Sequence, residues 1–133
     1  MQKYLDIVNK IHASPYKLTI VSSGGGTNAI SALLEVAGAS NTILESHIPY
    51  SKESMDTFLN KKPDHYCSLD TCLNMAANAF KKSKEVDSES KTKHLFGIAI
   101  TANLATTYEK KGDHKFFIVI QTYNYTKYLE CFL

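Results

Sequence analysis

Residues 17–37, KLTIVSSGGGTNAISALLEVA, decide how this chain folds. An apolar run over residues 18–21 ends at a glycine-rich turn, and after the turn apolar residues recur at helical spacing. This order predicts a strand, a flexible turn and a helix. Three successive glycines let the main chain approach a ligand closely. The unpaired amides at the start of the helix favour an anion such as a phosphate or carboxylate.

Hydroxyl side chains stand on both sides of these glycines, and they allow two interpretations. A serine displayed between a strand and a helix is a typical nucleophile, because nearby amides can stabilise an oxyanion. On that interpretation one serine of the turn is a nucleophile, and the turn holds a ligand through residues drawn from Ser22, Ser23, Gly24, Gly25, Gly26 and Thr27. The alternative is a glycine-rich connection whose hydroxyls only cap the helix.

The composition is that of an ordinary globular protein. The chain has 133 residues, enough for one domain with its own core. No apolar run approaches the roughly 20 residues that a membrane helix needs, and no signal-peptide core opens the chain. We therefore expect a cytoplasmic protein that does not contact membranes. Its 3 cysteines have neither zinc-site nor disulfide-framework spacing, so we expect no metal and no other cofactor.

The charge pattern argues against a nucleic-acid partner. The net charge is only +2, and all 15 basic residues are lysines. Without arginine the chain lacks the planar group that reads guanine or clamps phosphate with two hydrogen bonds. A phosphate would have to be held by lysines, hydroxyls or backbone amides.

The rest of the chain alternates helices and strands. Apolar spacing predicts helices over residues 2–13, after Ser51 and after Ser68, and strands over 41–48, 95–101, 115–122 and 125–132. The last two strands form an antiparallel hairpin, because only a tight turn joins them. The pattern is typical of a three-layer α/β/α sandwich with a mixed sheet, whose ligand lies at the carboxyl ends of the strands. Tyr50 and Ser51, which follow the second strand, become candidate neighbours of Ser23.

Some finer expectations follow from local pattern. Gly38 is predicted to cap the helix after the glycine turn. Residues 85–93 have the composition of an exposed linker. The first helix is expected to pack through Tyr4, Ile7, Val8 and Ile11. The aromatic residues of the last strand are candidates for an oligomer surface or for core packing, and the sequence leaves both open.

The long polar segment 102–113 offers further candidate ligand-binding residues, because long loops at strand ends often carry function. Thr101 precedes this segment, Lys110 and Lys111 lie within it, and His114 follows it. A single histidine at the start of a strand is either a hydrogen-bonded structural residue or a proton carrier.

SSGGGT, GASNT at residues 38–42, Pro49-Tyr50-Ser51 and a buried strand ending at Thr101 together resemble the CinA C-terminal-domain family (competence- and damage-inducible protein A). The motifs GASNTILES, PYS and GDHKFF are similar to its divergent eukaryotic-type branch. The resemblance covers roughly residues 3–132 and implies a single CinA-like domain over 1–133, without the family's terminal helix. Active family members are metal-independent amidohydrolases that convert nicotinamide mononucleotide to nicotinic acid mononucleotide and ammonia. The resemblance also implies a homo-oligomer.

Carried over residue by residue, the resemblance places Ser23 on the family's nucleophile and Tyr50 and Ser51 on its Tyr-Ser pair. The position of the family's lysine holds Met55. A serine hydroxyl needs a neighbour to take its proton, and the candidates are Tyr50, Lys52, Lys110, Lys111 and His114. Two hypotheses follow: an amidohydrolase acting on a pyridine nucleotide or similar amide, or a nucleotide-binding or scaffold domain that has lost catalysis.

Overall fold

The computed structural model describes residues 2–103 and 114–132. The first half of the chain contains α1, β1, α2, a short 3-10 helix, β2 and α3, which span Gln2–His12, Lys17–Ser23, Thr27–Glu35, Ala39–Asn41, Ile43–His47 and Lys52–Leu59. The second half contains α4, a second 3-10 helix, β3, β4 and β5, which span Leu69–Val86, Thr92–His94, Leu95–Asn103, Lys115–Gln121 and Thr126–Phe132.

The five strands form one mixed sheet in the order β2-β1-β3-β4-β5. Strand β1 pairs in parallel with β2 and β3, while β3–β4 and β4–β5 are antiparallel. One core cluster joins α3 and α4 to one face of the sheet, and a second joins α2 to the other face. The predicted α/β/α sandwich with a mixed sheet and a C-terminal antiparallel hairpin is therefore confirmed.

Helix α4 packs closely on the central strand β3. A Cβ atom at Gly97 would overlap the backbone of Ala76 and Phe80, so only glycine permits this separation. The Ser83 hydroxyl donates to the Phe96 carbonyl at 2.7 Å and lies 2.9 Å from the Thr19 hydroxyl. Cys72 is fully buried in this contact, and burial raises the pKa of its thiol to about 12. It is therefore a core residue and a poor nucleophile.

Two helix starts agree with the sequence-based prediction. The Ser51 hydroxyl accepts a hydrogen bond from the Ser54 amide at 3.1 Å, and the Ser68 hydroxyl accepts one from the Thr71 amide at 3.1 Å. These are N-cap contacts, which stabilise a helix by about 1 kcal/mol each. Among the described residues, no helix is both long and apolar enough to cross a membrane.

One local prediction was wrong: Gly38 does not end α2. It has a left-handed backbone and precedes the 3-10 helix, while Val36 follows α2. Residues 85–93 are mostly exposed, as predicted, although Glu85 and Val86 belong to α4. After that helix the Asp87 carboxylate accepts hydrogen bonds from the Glu89 and Ser90 amides. The hydrogen bonds from Ser90 also lower the pKa of Asp87.

The first helix is attached differently from the sequence-based expectation. Of its predicted inward residues Val8 is buried, Ile11 is half-buried, and Tyr4 and Ile7 are exposed. A polar contact supplements this attachment, because His12 is buried between the Thr42 hydroxyl and the Leu33 carbonyl, at 2.7 and 2.9 Å. Helix α1 is thereby tied to α2 and to the start of β2.

Candidate functional site

The glycine turn lies at the carboxyl end of β1, as predicted, and its shape depends on two glycines. Gly24 and Gly26 have φ values of 80° and 91°, a region that favours glycine. A Cβ atom at Gly24 would overlap the Ala102 carbonyl oxygen, so the turn lies directly against the end of β3. A Cβ atom at Gly26 would approach the Ile100 side chain to 2.8 Å. The chain thus brings main-chain groups of the turn to the carboxyl edge of the sheet.

The start of α2 faces this turn without a side-chain cap. Gly26 occupies the N-cap position and supplies no side chain to accept a hydrogen bond from the first amides. Thr27, the first helical residue, is exposed. The alternative interpretation of the turn, in which its hydroxyls cap the helix, is therefore wrong. Free amides and the positive end of the helix dipole remain for an anion.

The two serines at the end of β1 point to opposite faces of the sheet. Ser22 is fully buried, and its hydroxyl donates to the Gly25 carbonyl, so it shapes the turn and is closed off from a ligand. Ser23 is half-buried on the same face as Val21, and no hydrogen bond of its hydroxyl is found within residues 2–103 and 114–132. Of the two, Ser23 therefore has the hydroxyl that remains available for chemistry.

Thr101 lies opposite Ser23 on β3, and its hydroxyl already has a partner. It donates to the Tyr66 carbonyl at 3.3 Å and is buried. This contact attaches the segment before α4 to the sheet edge beside Ser23. Thr101 thus shapes the wall of the site, although it was predicted to bind the ligand.

The segment before α4 is also attached to α3. The Tyr66 hydroxyl donates to Asp56 Oδ1 at 2.8 Å, and this hydrogen bond is the main reason that the pKa of Tyr66 is raised. The Lys52 amine lies over the Tyr66 ring, 5.7 Å from its centroid, within cation–π range. Lys52 is one of the candidate proton acceptors from the sequence, and this contact engages its amine with the Tyr66 ring.

Tyr50 and Ser51 follow β2, and neither forms a hydrogen bond with Ser23. Tyr50 is 86% exposed, and the Ser51 hydroxyl is engaged as the cap of α3. His114 is half-buried just before β4, at the same edge of the sheet as Ser23. Lys110 and Lys111 lie outside the described residues. The structure therefore brings the glycine turn, Ser23 and Thr101 together, and it leaves Tyr50 in solvent.

A second polar pair lies on β2, on the same sheet face as Ser23. His47 Nε2 and Glu45 Oε1 are 3.6 Å apart, and the His47 ring packs on Phe58 with 5.4 Å between ring centroids. Within residues 2–103 and 114–132, no three His, Cys, Asp or Glu side chains are grouped so as to hold a metal ion.

Solved structures of the competence- and damage-inducible superfamily match this fold over nearly the whole chain. A CinA superfamily protein from Escherichia coli superposes with a TM-score of 0.74 and 14% sequence identity, covering 98% of this chain and 74% of that one. The chain is a CinA-like domain in fold. The competence or damage-inducible protein from Enterobacter asburiae gives a TM-score of 0.74 at 16% identity, with 98% and 80% covered. CihA from Agrobacterium tumefaciens gives 0.68 at 17%, with 98% and 78% covered.

This similarity is one of structure. No protein-family profile matches the sequence of the CinA-like domain, and no curated protein does either. At 14 to 17% identity the solved structures establish the fold and leave the activity open. The resemblance read from the motifs is thereby confirmed for the fold.

The CinA-like fold also locates Met55, the residue at the position of the family's lysine. Met55 is 1% exposed and packs with Val21 in the core between α3 and the sheet. Its thioether cannot accept the proton of Ser23 at neutral pH. A nucleophile at Ser23 would therefore need a proton acceptor from another position.

The sequence analysis did not single out Glu45, His47, Asp56 or Tyr66. Alternation along β2 does place Glu45 and His47 on one face, because successive side chains of a strand point to opposite faces. That His47 lies diagonally across from Ser23, with Glu45 next on the same face, depends on β2 pairing with β1, which no local pattern in the sequence reveals.

Proposed function

We propose that this CinA-like domain binds a small nucleotide at the glycine turn and hydrolyses its carboxamide, with Ser23 as the nucleophile. The phosphate would lie against the amides of the turn and the start of α2. The carboxamide would lie at the Ser23 hydroxyl, with turn amides stabilising the oxyanion. The resemblance of the motifs implies nicotinamide mononucleotide as the first substrate to test.

One observation carries this proposal. The Ser23 hydroxyl has no hydrogen-bond partner among the described residues. It precedes a turn in which Gly24 and Gly26 have left-handed backbones, and the helix that follows the turn has no side-chain cap. A nucleophile next to free amides is the arrangement that acyl transfer needs. We further propose that the domain acts in the cytoplasm on a small molecule, without nucleic acid, membrane, metal or other cofactor.

The second candidate function is ligand binding without efficient catalysis. It is favoured by Met55, which is buried in the core where the resemblance predicts a lysine. Tyr50 favours it too, because its ring lies in solvent. On this view the turn holds a nucleotide, or the domain supports a partner.

Ammonia release distinguishes the two functions. Purified protein is incubated with nicotinamide mononucleotide, and ammonia is measured for the wild type and for Ser23→Ala, while calorimetry measures binding. The amidohydrolase proposal expects ammonia release that Ser23→Ala lowers by at least about 100-fold, as removal of a nucleophile does. Binding should persist in the variant.

Two other results would decide against the hydrolase. Binding without ammonia release, equal in wild type and Ser23→Ala, would favour the binding domain. The absence of both would reject a role for this nucleotide at the turn. Ser88→Ala, at an exposed serine just beyond the end of α4, is the matched control and should behave as wild type.

A further inference from the structure

We propose that His47 is the general base for Ser23 and that Glu45 holds the imidazole of His47 in place. This inference rests on the proposed function, because it assigns the proton acceptor that the reaction at Ser23 requires. His47 would contact the reacting proton, while Glu45 would act through His47 as a positioning residue.

Strand pairing places the three side chains together. Val21 of β1 lies opposite His47 of β2, and Thr19 lies opposite Glu45. Ser23 is two residues beyond Val21 and therefore shares its face of the sheet. His47 is thus a diagonal neighbour of Ser23, and such neighbours lie about 7–8 Å apart at their backbones, within reach of long side chains.

The polar atoms of this pair lack the partners that buried atoms usually have. His47 Nε2 and Glu45 Oε2 are both buried and make no hydrogen bond with the described residues. The Nε2–Oε1 distance of 3.6 Å is just beyond hydrogen-bond length. Buried polar atoms usually have hydrogen-bond partners, so these two atoms point to a contact that forms in function. With Nε2 facing Glu45, Nδ1 is the nitrogen that can take a proton.

An open surface pocket lies beside the His47 imidazole. Its volume is about 450 Å³, and it is lined by His47, Ile48, Pro49, Ser54, Thr57 and Phe58. Neither Ser23 nor the glycine turn lines it, so a substrate held there would have to extend past His47 to reach the Ser23 hydroxyl. The Phe58 ring packs against the imidazole and shields one side of it from water. No hydrogen bond joins Ser23 to His47 in this structure, and catalytic contacts often form only when substrate is bound.

The proposed steps balance in atoms and charge. The Ser23 oxygen forms a bond to the amide carbon while its proton passes to His47, and the tetrahedral oxyanion faces the turn amides. When the carbon–nitrogen bond breaks, the nitrogen takes that proton from His47 and leaves as ammonia. Water then attacks the ester carbon and gives a proton to His47, and this proton returns to the Ser23 oxygen as it departs. The released acid then passes its proton to ammonia. The overall reaction converts an amide and water to a carboxylate and ammonium.

The other candidates named from the sequence are less well placed. Tyr50 is in solvent, and the Lys52 amine is engaged in a cation–π contact with the Tyr66 ring. His114 is separated from Ser23 by β3, since it precedes β4 in the strand order. Among the described residues, the Glu45 carboxylate is the ionisable group that forms an ion pair with His47. The α3 residues that line the cavity beside the ring, Ser54, Thr57 and Phe58, do not titrate near neutral pH.

Acylation by p-nitrophenyl acetate tests the base without assuming the natural substrate. The burst of nitrophenolate is measured for wild type, Ser23→Ala, His47→Gln, Glu45→Gln and His94→Gln, and mass spectrometry locates the acetyl group. We expect Ser23 to be acetylated and the rate to fall about 100-fold or more in His47→Gln, as for loss of a general base. His94→Gln, at the opposite end of the sheet, should match the wild type.

The pH profile separates a chemical role from a structural one. Because the base must be unprotonated, the wild-type rate should rise with pH, and His47→Gln should lose this dependence. In Glu45→Gln the rate should fall at every pH, because the imidazole is no longer held in place. Added imidazole should partly restore the rate of His47→Ala.

The outcomes separate this inference from the proposed function. Acetylation of Ser23 at equal rates in wild type and His47→Gln would overturn the role of His47 and leave Ser23 as the nucleophile. A Glu45→Gln profile identical to wild type would overturn the role of Glu45. If Ser23 of the wild type is not acetylated at all, the nucleophile and its base are both wrong. Circular dichroism shows whether each variant is folded, and imidazole rescue decides for His47 if His47→Gln unfolds.

Discussion

At the scale of single residues, Gly24 determines how closely the glycine turn lies against β3. Its φ of 80° is a conformation that costs other residues roughly 1–2 kcal/mol. A side chain at this position would also overlap the Ala102 carbonyl oxygen. The turn can therefore remain beside Ser23 only with glycine here.

We predict that Gly24→Ala lowers the free energy of unfolding by more than about 2 kcal/mol, since backbone strain and overlap with Ala102 add together. Nucleotide binding should weaken as well, because the turn must move away from β3. Urea denaturation and calorimetry measure the two effects.

Gly25→Ala is the matched control for Gly24→Ala. Gly25 is not among the glycines with positive φ, so alanine at this position should change the free energy of unfolding by less than about 1 kcal/mol. Equal losses in the two variants would show that the turn does not depend on the left-handed backbone at Gly24.

At the scale of elements, the contact between α4 and the sheet contains a buried polar connection. The Ser83 hydroxyl lies within hydrogen-bond distance of the Thr19 hydroxyl and the Phe96 carbonyl, and Ser83 and Thr19 are fully buried. Removing the Ser83 hydroxyl takes this partner from both Thr19 and the Phe96 carbonyl in a place that water does not reach, whereas removing the Thr19 hydroxyl leaves Ser83 bonded to Phe96.

A double-mutant cycle tests this connection. Ser83→Ala should lower the free energy of unfolding by about 1–3 kcal/mol, and Thr19→Val should lower it by less, because Ser83 keeps its hydrogen bond to Phe96. The double variant should lose less than the sum, because no unpaired hydroxyl remains. Chemical denaturation measures all four proteins. Strictly additive losses would mean that the two hydroxyls do not interact.

The elements also show how far the sequence could predict the molecule. The N-caps at Ser51 and Ser68 and the β4–β5 hairpin were predictable because each depends on residues a few positions apart. The glycine turn was predictable for the same reason. The position of His47 beside Ser23 was not, since it requires β2 to pair in parallel with β1 and in one register. Ser22 was assigned to the ligand because the sequence did not show which of two adjacent hydroxyls faces the α2 side.

At the scale of the whole molecule, the sheet has two edges that differ in exposure. β2 has five residues, most of them half-buried, whereas β5 has seven residues, most of them exposed. Tyr128 and Phe132 are 59% and 63% exposed, so core packing does not explain the aromatic residues of β5. An edge strand with unpaired backbone groups and exposed apolar side chains is a typical pairing surface.

We therefore predict that the protein self-associates through β5. Sedimentation should show an oligomer, and Tyr128→Lys should shift it toward monomer, because lysine on an edge strand opposes pairing with another strand. Tyr4→Lys on α1 is the matched control, since Tyr4 is 61% exposed, and it should leave the oligomer intact. A monomeric wild type, or dissociation by Tyr4→Lys alone, would contradict this surface.

Association through β5 would also affect the region of Ser23. Phe132 of β5 pairs with Lys115 of β4, which pairs with Asn103 near the carboxyl end of β3. A second copy would therefore lie near the end of the sheet at which Ser23 is found. Substrate turnover should then depend on protein concentration in Tyr128→Lys more steeply than in the wild type.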